Sequence, residues 1–183
     1  MTALQTLVYR LLTAISTPPS AQDWLFSALL LLSLTVISLP IGFYQGFLQV
    51  DILKASRIKV ATIIGRTFFF PGVSEELFVR VLLLPHPSEN ASISAHWLWA
   101  CISLAVFIVY HPLNALSFFP AGRPTFFNPV FLLLAALLGI VCTIAYLKSG
   151  SLWLPVAIHW LVVVVWLLLL GGYGKLNSEY IKD

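Results

Sequence analysis

The chain has 183 residues, of which 60% are hydrophobic, 14% aromatic and only 9% charged, with a formal net charge of +3. Soluble domains carry roughly a quarter charged residues, so this composition excludes an ordinary soluble domain and points to an integral membrane protein. So small a charge excess, with no basic run interleaved with aromatics, gives no footing for nucleic acid as a partner.

The length fits one membrane domain over 1–183. Residues 1–20 have no Lys/Arg-rich start and no small-residue cleavage pattern. They read as a short helix at the interface or against the bundle, closed by Ser-Thr-Pro-Pro-Ser. The first run long enough to cross a bilayer covers 24–50, with Pro40 and Gly42 placed to kink it. Residues 51–66 are the most charged stretch, with Lys54, Arg57, Lys59 and Arg66, and suit a cytoplasmic interfacial segment. A second apolar run covers 67–85, followed by a polar loop that begins at His86. The third run covers 96–119 and is interrupted by His111 and Pro112. The fourth covers 128–147 and the fifth 152–170, ahead of a polar tail at 171–183. Cys101 and Cys142 both sit inside apolar runs, without any CxxC or Cys/His cluster, and read as buried, inert thiols.

The expected fold is therefore an all-α transmembrane bundle of about five spans plus the N-terminal interfacial helix. Lys54, Arg57, Lys59, Arg123, Lys175 and Lys182 fall on one side, Arg10 and Lys148 on the other. The positive-inside rule makes the first side, with the C-terminus, cytoplasmic. A bacterial-type plasma membrane is the expected location, with a thylakoid-type membrane as the alternative.

Against this apolar background, FPGVSEELFVR at 70–80 packs Glu75, Glu76 and Arg80 into six residues. A charge at mid-bilayer costs roughly 3 kcal/mol or more on insertion scales and usually faces a cavity or a partner. Glu76 and Arg80 are four apart on a helix and can pair. Glu75 is rotated by about 100° from Glu76 and has no partner along the sequence. A carboxylate held in an apolar site suits a general base near neutral pH. His111 and His159 lie at comparable depth in two other runs, whereas His86 and His96 read as surface residues. Two histidines and a glutamate are a known zinc set, but no HExxH is present and the three would come from separate helices. A metal-free site is equally economical: Glu75 with His111 activates a water, and His159 stabilises an oxyanion.

These residues resemble the CPBP family, the CAAX-processing and bacteriocin-processing (ABI-type) intramembrane endopeptidases. Glu75-Glu76-Leu-Phe-Val-Arg80 matches its Glu-Glu-x-x-x-Arg motif, and Phe107-Ile-Val-Tyr-His111 its Phe-x-x-x-His motif. The Ser151-Leu-Trp-Leu-Pro155 element then leads to His159. The likeness covers about 66–166. It implies a membrane peptide or protein substrate within the lipid bilayer. It also implies Glu75 as base with His111 sharing the task, His159 supporting the oxyanion, and Glu76 and Arg80 holding the site. One position departs: four residues after His159 the family has Asn or Asp, and here stands Val163. Asn114, three residues after His111, is the candidate to substitute from another helix.

Two other readings compete. A catalytically silent relative would act as a membrane scaffold, or bind a protein partner or apolar ligand. Val163 and an aromatic load including Trp97, Trp99, Trp153, Trp160, Trp166, Phe118, Phe119, Phe126 and Phe127 favour it, although most of these rings read as interfacial belt and packing. A proton relay or small transporter would also use buried Glu and His, but no inverted repeat is visible. Convergence of Glu75, His111 and His159 on a cavity open to the cytoplasmic side favours the peptidase. A site filled by Val163 and aromatics favours the silent relative.

Overall fold

In the computed structural model, which describes residues 2–177, helix α1 (Ala3–Ser16) starts at a reciprocal cap between Thr2 and Gln5. Helix α2 (Ala21–Tyr44) opens with the same device from Ser20 and Asp23. Helix α3 (Arg57–Thr67) is capped by Ser56, α4 (Ile93–Ser117) by Ser92 and α5 (Pro129–Ser149) by Asn128. Helix α6 (Trp153–Leu169) is followed by the short α7 (Gly172–Leu176). The fold is an all-α membrane bundle. Helices α2, α4 and α5 are long and apolar enough to cross a membrane, and α6 is a shorter apolar helix of 17 residues. The polar tail beyond 177 lies outside the described residues.

The run at 67–85 is not one straight span. Phe70 adopts extended angles (φ −131°, ψ 104°), and Pro71 has no N–H with which to continue a helical ladder. The backbone breaks there and resumes beyond it through one α-turn, Ser74–Glu76, and a wide π-turn over Leu77–Leu82. The motif thus rides on a helical piece too short to span a bilayer core alone, which takes about 20 residues. It is held among α1, α3, α4, α5 and α6.

Helix α5 is the hub. It buries Phe131, Ala135, Leu138, Gly139, Cys142, Ala145 and Tyr146, and α2, α4 and α6 pack around it. Cys142 is buried as expected. Cys101 is instead exposed on α4, because its helix turns that face away from the hub.

Helix α1 closes one end of the bundle. Its Ala14 is fully buried, and Ala14 O accepts from Leu152 N–H at 3.0 Å. His86 is not the surface residue the polar loop suggested: it is 4% exposed. Its Nε2–H donates to Gly150 O at 3.0 Å, and its Nδ1 accepts from Ser88, whose Oγ lies 2.7 Å from Tyr9 Oη. Gly150 carries φ +69°, and a Cβ there would stand 2.8 Å from His86 Nε2, so glycine is required twice over.

Arg10 forks onto Glu89 at 2.6 and 2.8 Å and donates to Leu82 O at 3.1 Å. Burial works against ionising Glu89, but hydrogen bonds from Arg10 and from His86 N–H, with the Arg10 charge, outweigh it and hold the carboxyl below the ordinary glutamate range. A depressed carboxyl stabilises the fold above its unfolded value of about 4.3, and that stability is lost as pH falls through the lower folded value. Arg10→Ala is expected to cost about 1–3 kcal/mol and to speed proteolysis at 17–20, and wild type is expected to show the same susceptibility only in acid. Identical cleavage of both proteins at neutral pH would mean that α1 is held by other contacts.

At the opposite end, Asp51 N–H donates to Leu169 O at 3.0 Å and Leu53 N–H to Leu168 O at 2.9 Å. This end carries Lys54, beside Asp51 and Leu53, Lys59 over the Tyr173 ring and Lys175 over the Phe47 ring.

Candidate active site

Arg80 and Glu76 are both fully buried, side by side on the broken helix. Arg80 Nε stands 3.2 Å from Glu76 Oε2, a charge contact without hydrogen-bond alignment. Arg80 Nη2–H donates to Gly139 O at 2.9 Å, and its guanidinium lies 4.7 Å over the Phe107 ring. Gly139 is what lets these groups close on α5. A Cβ there would meet Leu104 at 2.9 Å, Phe107 at 3.1 Å and Arg80 Nη2 at 3.3 Å. Gly139→Ala is expected to lower the melting temperature in detergent through about 1–3 kcal/mol of overpacking. An unchanged melting temperature would show that α4 yields by the few tenths of an ångström needed.

Glu76 has a second partner that its own helix does not reveal. His159 of α6 places Nδ1 2.6 Å from Glu76 Oε1. The carboxylate accepts, so Nδ1 carries the proton, and Nε2 is left as the lone-pair nitrogen of a neutral ring. That Nε2 lies 3.9 Å from Glu75 Oε2. Glu75 Oε2 is buried and has no hydrogen-bond partner. The sequence placed His159 at the oxyanion; its ring nitrogens face the two carboxylates.

His111 of α4 is 8% exposed. Its Nδ1 lies 2.8 Å from Phe107 O, again a pure acceptor, so Nε2 is free here too. Phe107 stands between the histidines, edge-on to His111 at 5.0 Å and to His159 at 5.8 Å.

A cavity of about 1200 Å³ joins these groups. Glu75, Phe107, His111, Asn114 and His159 line it, and so does Val163, one turn after His159. Glu76 and Arg80 stand behind it. Lys59, Phe118, Phe119 and Asn177 also line it, so it extends toward the end that carries the basic residues. Trp166 and Phe126 contribute to its wall. Trp97 and Trp99 lie exposed on α4, while Trp153 and Trp160 donate to Ile15 O and Ile64 O at 2.9 Å. Among the described residues no cluster of three or more His, Cys, Asp or Glu is placed to hold a metal ion.

The model of the Rce1-like family, type II CAAX prenyl endopeptidase, matches residues 57–165. The chain belongs to this family. The matched stretch runs from the start of α3 into α6 and contains Glu75, Glu76, Arg80, Phe107, His111, Asn114, His159 and Val163. At the level of the family, this Rce1-like protein is an intramembrane peptidase embedded in the bilayer. No curated protein and no solved structure matches the chain.

Proposed function

We propose that the protein is an intramembrane endopeptidase in which Glu75 activates a water to cleave a peptide bond of a membrane-associated peptide or protein. The observation that carries this reading is the difference between the adjacent carboxylates. Glu76 is occupied by Arg80 and His159, whereas Glu75 lines the cavity with one oxygen unpartnered, 3.9 Å from His159 Nε2.

Glu75, as a carboxylate, takes a proton from water as the hydroxide oxygen bonds to the scissile carbonyl carbon, and the carbonyl electron pair moves onto oxygen. As the pair returns, the C–N bond breaks and Glu75 passes its proton to the leaving nitrogen. The products are a carboxylic acid, whose proton then passes to the amine, and an amine, and Glu75 is again a carboxylate. His111, with Nε2 free, assists at the water, and Phe107 keeps both imidazoles in orientation. Glu76 and Arg80 hold His159. The cavity has room for an extended segment, and its basic end supports an orientation with that end, and the C-terminus, toward the cytoplasm.

The test is cleavage of a panel of membrane peptides by purified protein, wild type beside Glu75→Gln. Retained cleavage in the variant would sink the assignment. Wild type that is folded yet cuts nothing favours the silent scaffold, for which Val163 in the cavity wall is the supporting feature. The proposed reaction uses no metal; stoichiometric zinc in purified protein, with activity lost to chelator and restored by zinc, would put zinc on Glu75, His111 and His159 instead.

A further inference from the structure

We infer that Asn114 donates the hydrogen bond that stabilises the oxyanion, from α4 and into the cavity that Val163 also lines; the inference rests on the peptidase reading above. It comes from counting donors and acceptors. In a neutral imidazole one nitrogen donates and the other accepts. His111 spends its donor on Phe107 O at 2.8 Å, and His159 spends its donor on Glu76 Oε1 at 2.6 Å. Both Nε2 atoms are then acceptors, and an ionised Glu75 is an acceptor too. Three acceptors serve the water. Neither imidazole can donate to the negative oxygen that forms when the carbonyl is attacked, the proton that Glu75 has taken is destined for the leaving nitrogen, and such an oxygen needs a fixed donor.

Asn114 meets that need. It lines the same cavity as Glu75, His111 and His159. It follows His111 by three residues within α4, so the two side chains share a face. Its backbone carbonyl accepts from Phe118 N–H at 2.9 Å and Phe119 N–H at 2.8 Å, which fixes this last turn of the helix. Its side-chain amide has no hydrogen-bond partner among the described residues, so both N–H groups are available. Val163, four residues after His159 on α6, reaches the cavity with no donor at all. Tyr110 also lines the cavity, but it is one residue off the His111 face, and its ring lies edge-on to that imidazole at 5.8 Å.

The experiment compares kcat and KM for wild type, Asn114→Ala, Asn114→Asp, Tyr110→Phe and the double variant Asn114→Ala/Val163→Asn, with melting temperatures as a check on folding. Losing one oxyanion donor typically lowers kcat by about 10²–10³, and that loss is expected for both Asn114 variants at nearly unchanged KM. The double variant, which returns an amide to the cavity from α6, is expected to regain about tenfold or more over Asn114→Ala. Asn114→Ala within a few-fold of wild type overturns the inference. So does a loss that Tyr110→Phe reproduces in its place, one confined to KM, or one that Val163→Asn leaves untouched. Cleavage abolished by Glu75→Gln but indifferent to Asn114 overturns this inference alone, whereas wild type that cuts nothing takes the underlying reading down with it.

Discussion

Glu75→Gln is expected to lower kcat by a thousandfold or more while leaving the melting temperature equal to wild type or above it. A positioned general base contributes about 10²–10⁴ in rate. Here the same carboxyl also returns the proton to the leaving nitrogen, so the amide loses both halves of the transfer. The stability half of the result follows from burial. Glu75 Oε2 is out of contact with solvent and hydrogen-bonds to nothing, with His159 Nε2 at 3.9 Å. A desolvated, unpartnered carboxylate opposes folding, and a neutral side chain of the same shape relieves that opposition. Loss of activity with retained or improved stability is what a functional group held at a stability cost should show. Glu75→Asp is a finer probe. It keeps the charge but withdraws it by one methylene, and a misplacement of about 1 Å can cost about 10². Single-turnover cleavage with the melting curve of the same sample reads both quantities. A melting temperature that falls sharply in Glu75→Gln would recast Glu75 as part of the structural ion pair.

The parts of the fold that hydropathy reports were legible, and those that depend on a distant partner were not. Helices Ala21–Tyr44, Ile93–Ser117 and Pro129–Ser149 fall on apolar runs visible by inspection, because lipid selects side-chain composition over about 20 residues. The break at Phe70 was hidden inside such a run. Hydropathy averages side chains and does not register that Pro71 withholds an N–H, although the proline itself was the signal. The Glu76–Arg80 contact follows from an i,i+4 offset. The hydrogen bond from His159 to Glu76 spans 83 positions and needs the packed bundle, so the sequence did not pair these two residues. His86 failed for the opposite reason. Its neighbours are those of a polar loop, yet Gly150, 64 residues away, gives its ring a buried acceptor. A glycine with positive φ after α5 was visible only as a turn.

Glu76→Leu is expected to be the most damaging single change for stability, at about 3–5 kcal/mol. Arg80 is 0% exposed, and Glu76 is the carboxylate in contact with it. Its remaining support is one carbonyl, Gly139 O, and the face of Phe107. Neither neutralises a full charge, so removing Glu76 strands a guanidinium in the bundle core. Arg80→Met alone should cost a similar amount by stranding the carboxylate, part of whose charge His159 can offset. The double change Glu76→Leu/Arg80→Met removes both charges from an apolar site, and is expected to recover most of the loss, with a coupling of about 1–3 kcal/mol. Activity should not return with stability. Without Glu76 Oε1, His159 Nδ1 has no acceptor, so nothing holds the ring in the tautomer and orientation that leave Nε2 toward Glu75. A stable, inactive double variant separates the two tasks of Glu76, balancing Arg80 and orienting His159. If instead the double variant is stable and cuts at the wild-type rate, the contact between Glu76 and His159 has no part in the chemistry, and the base at Glu75 works without the histidine behind it.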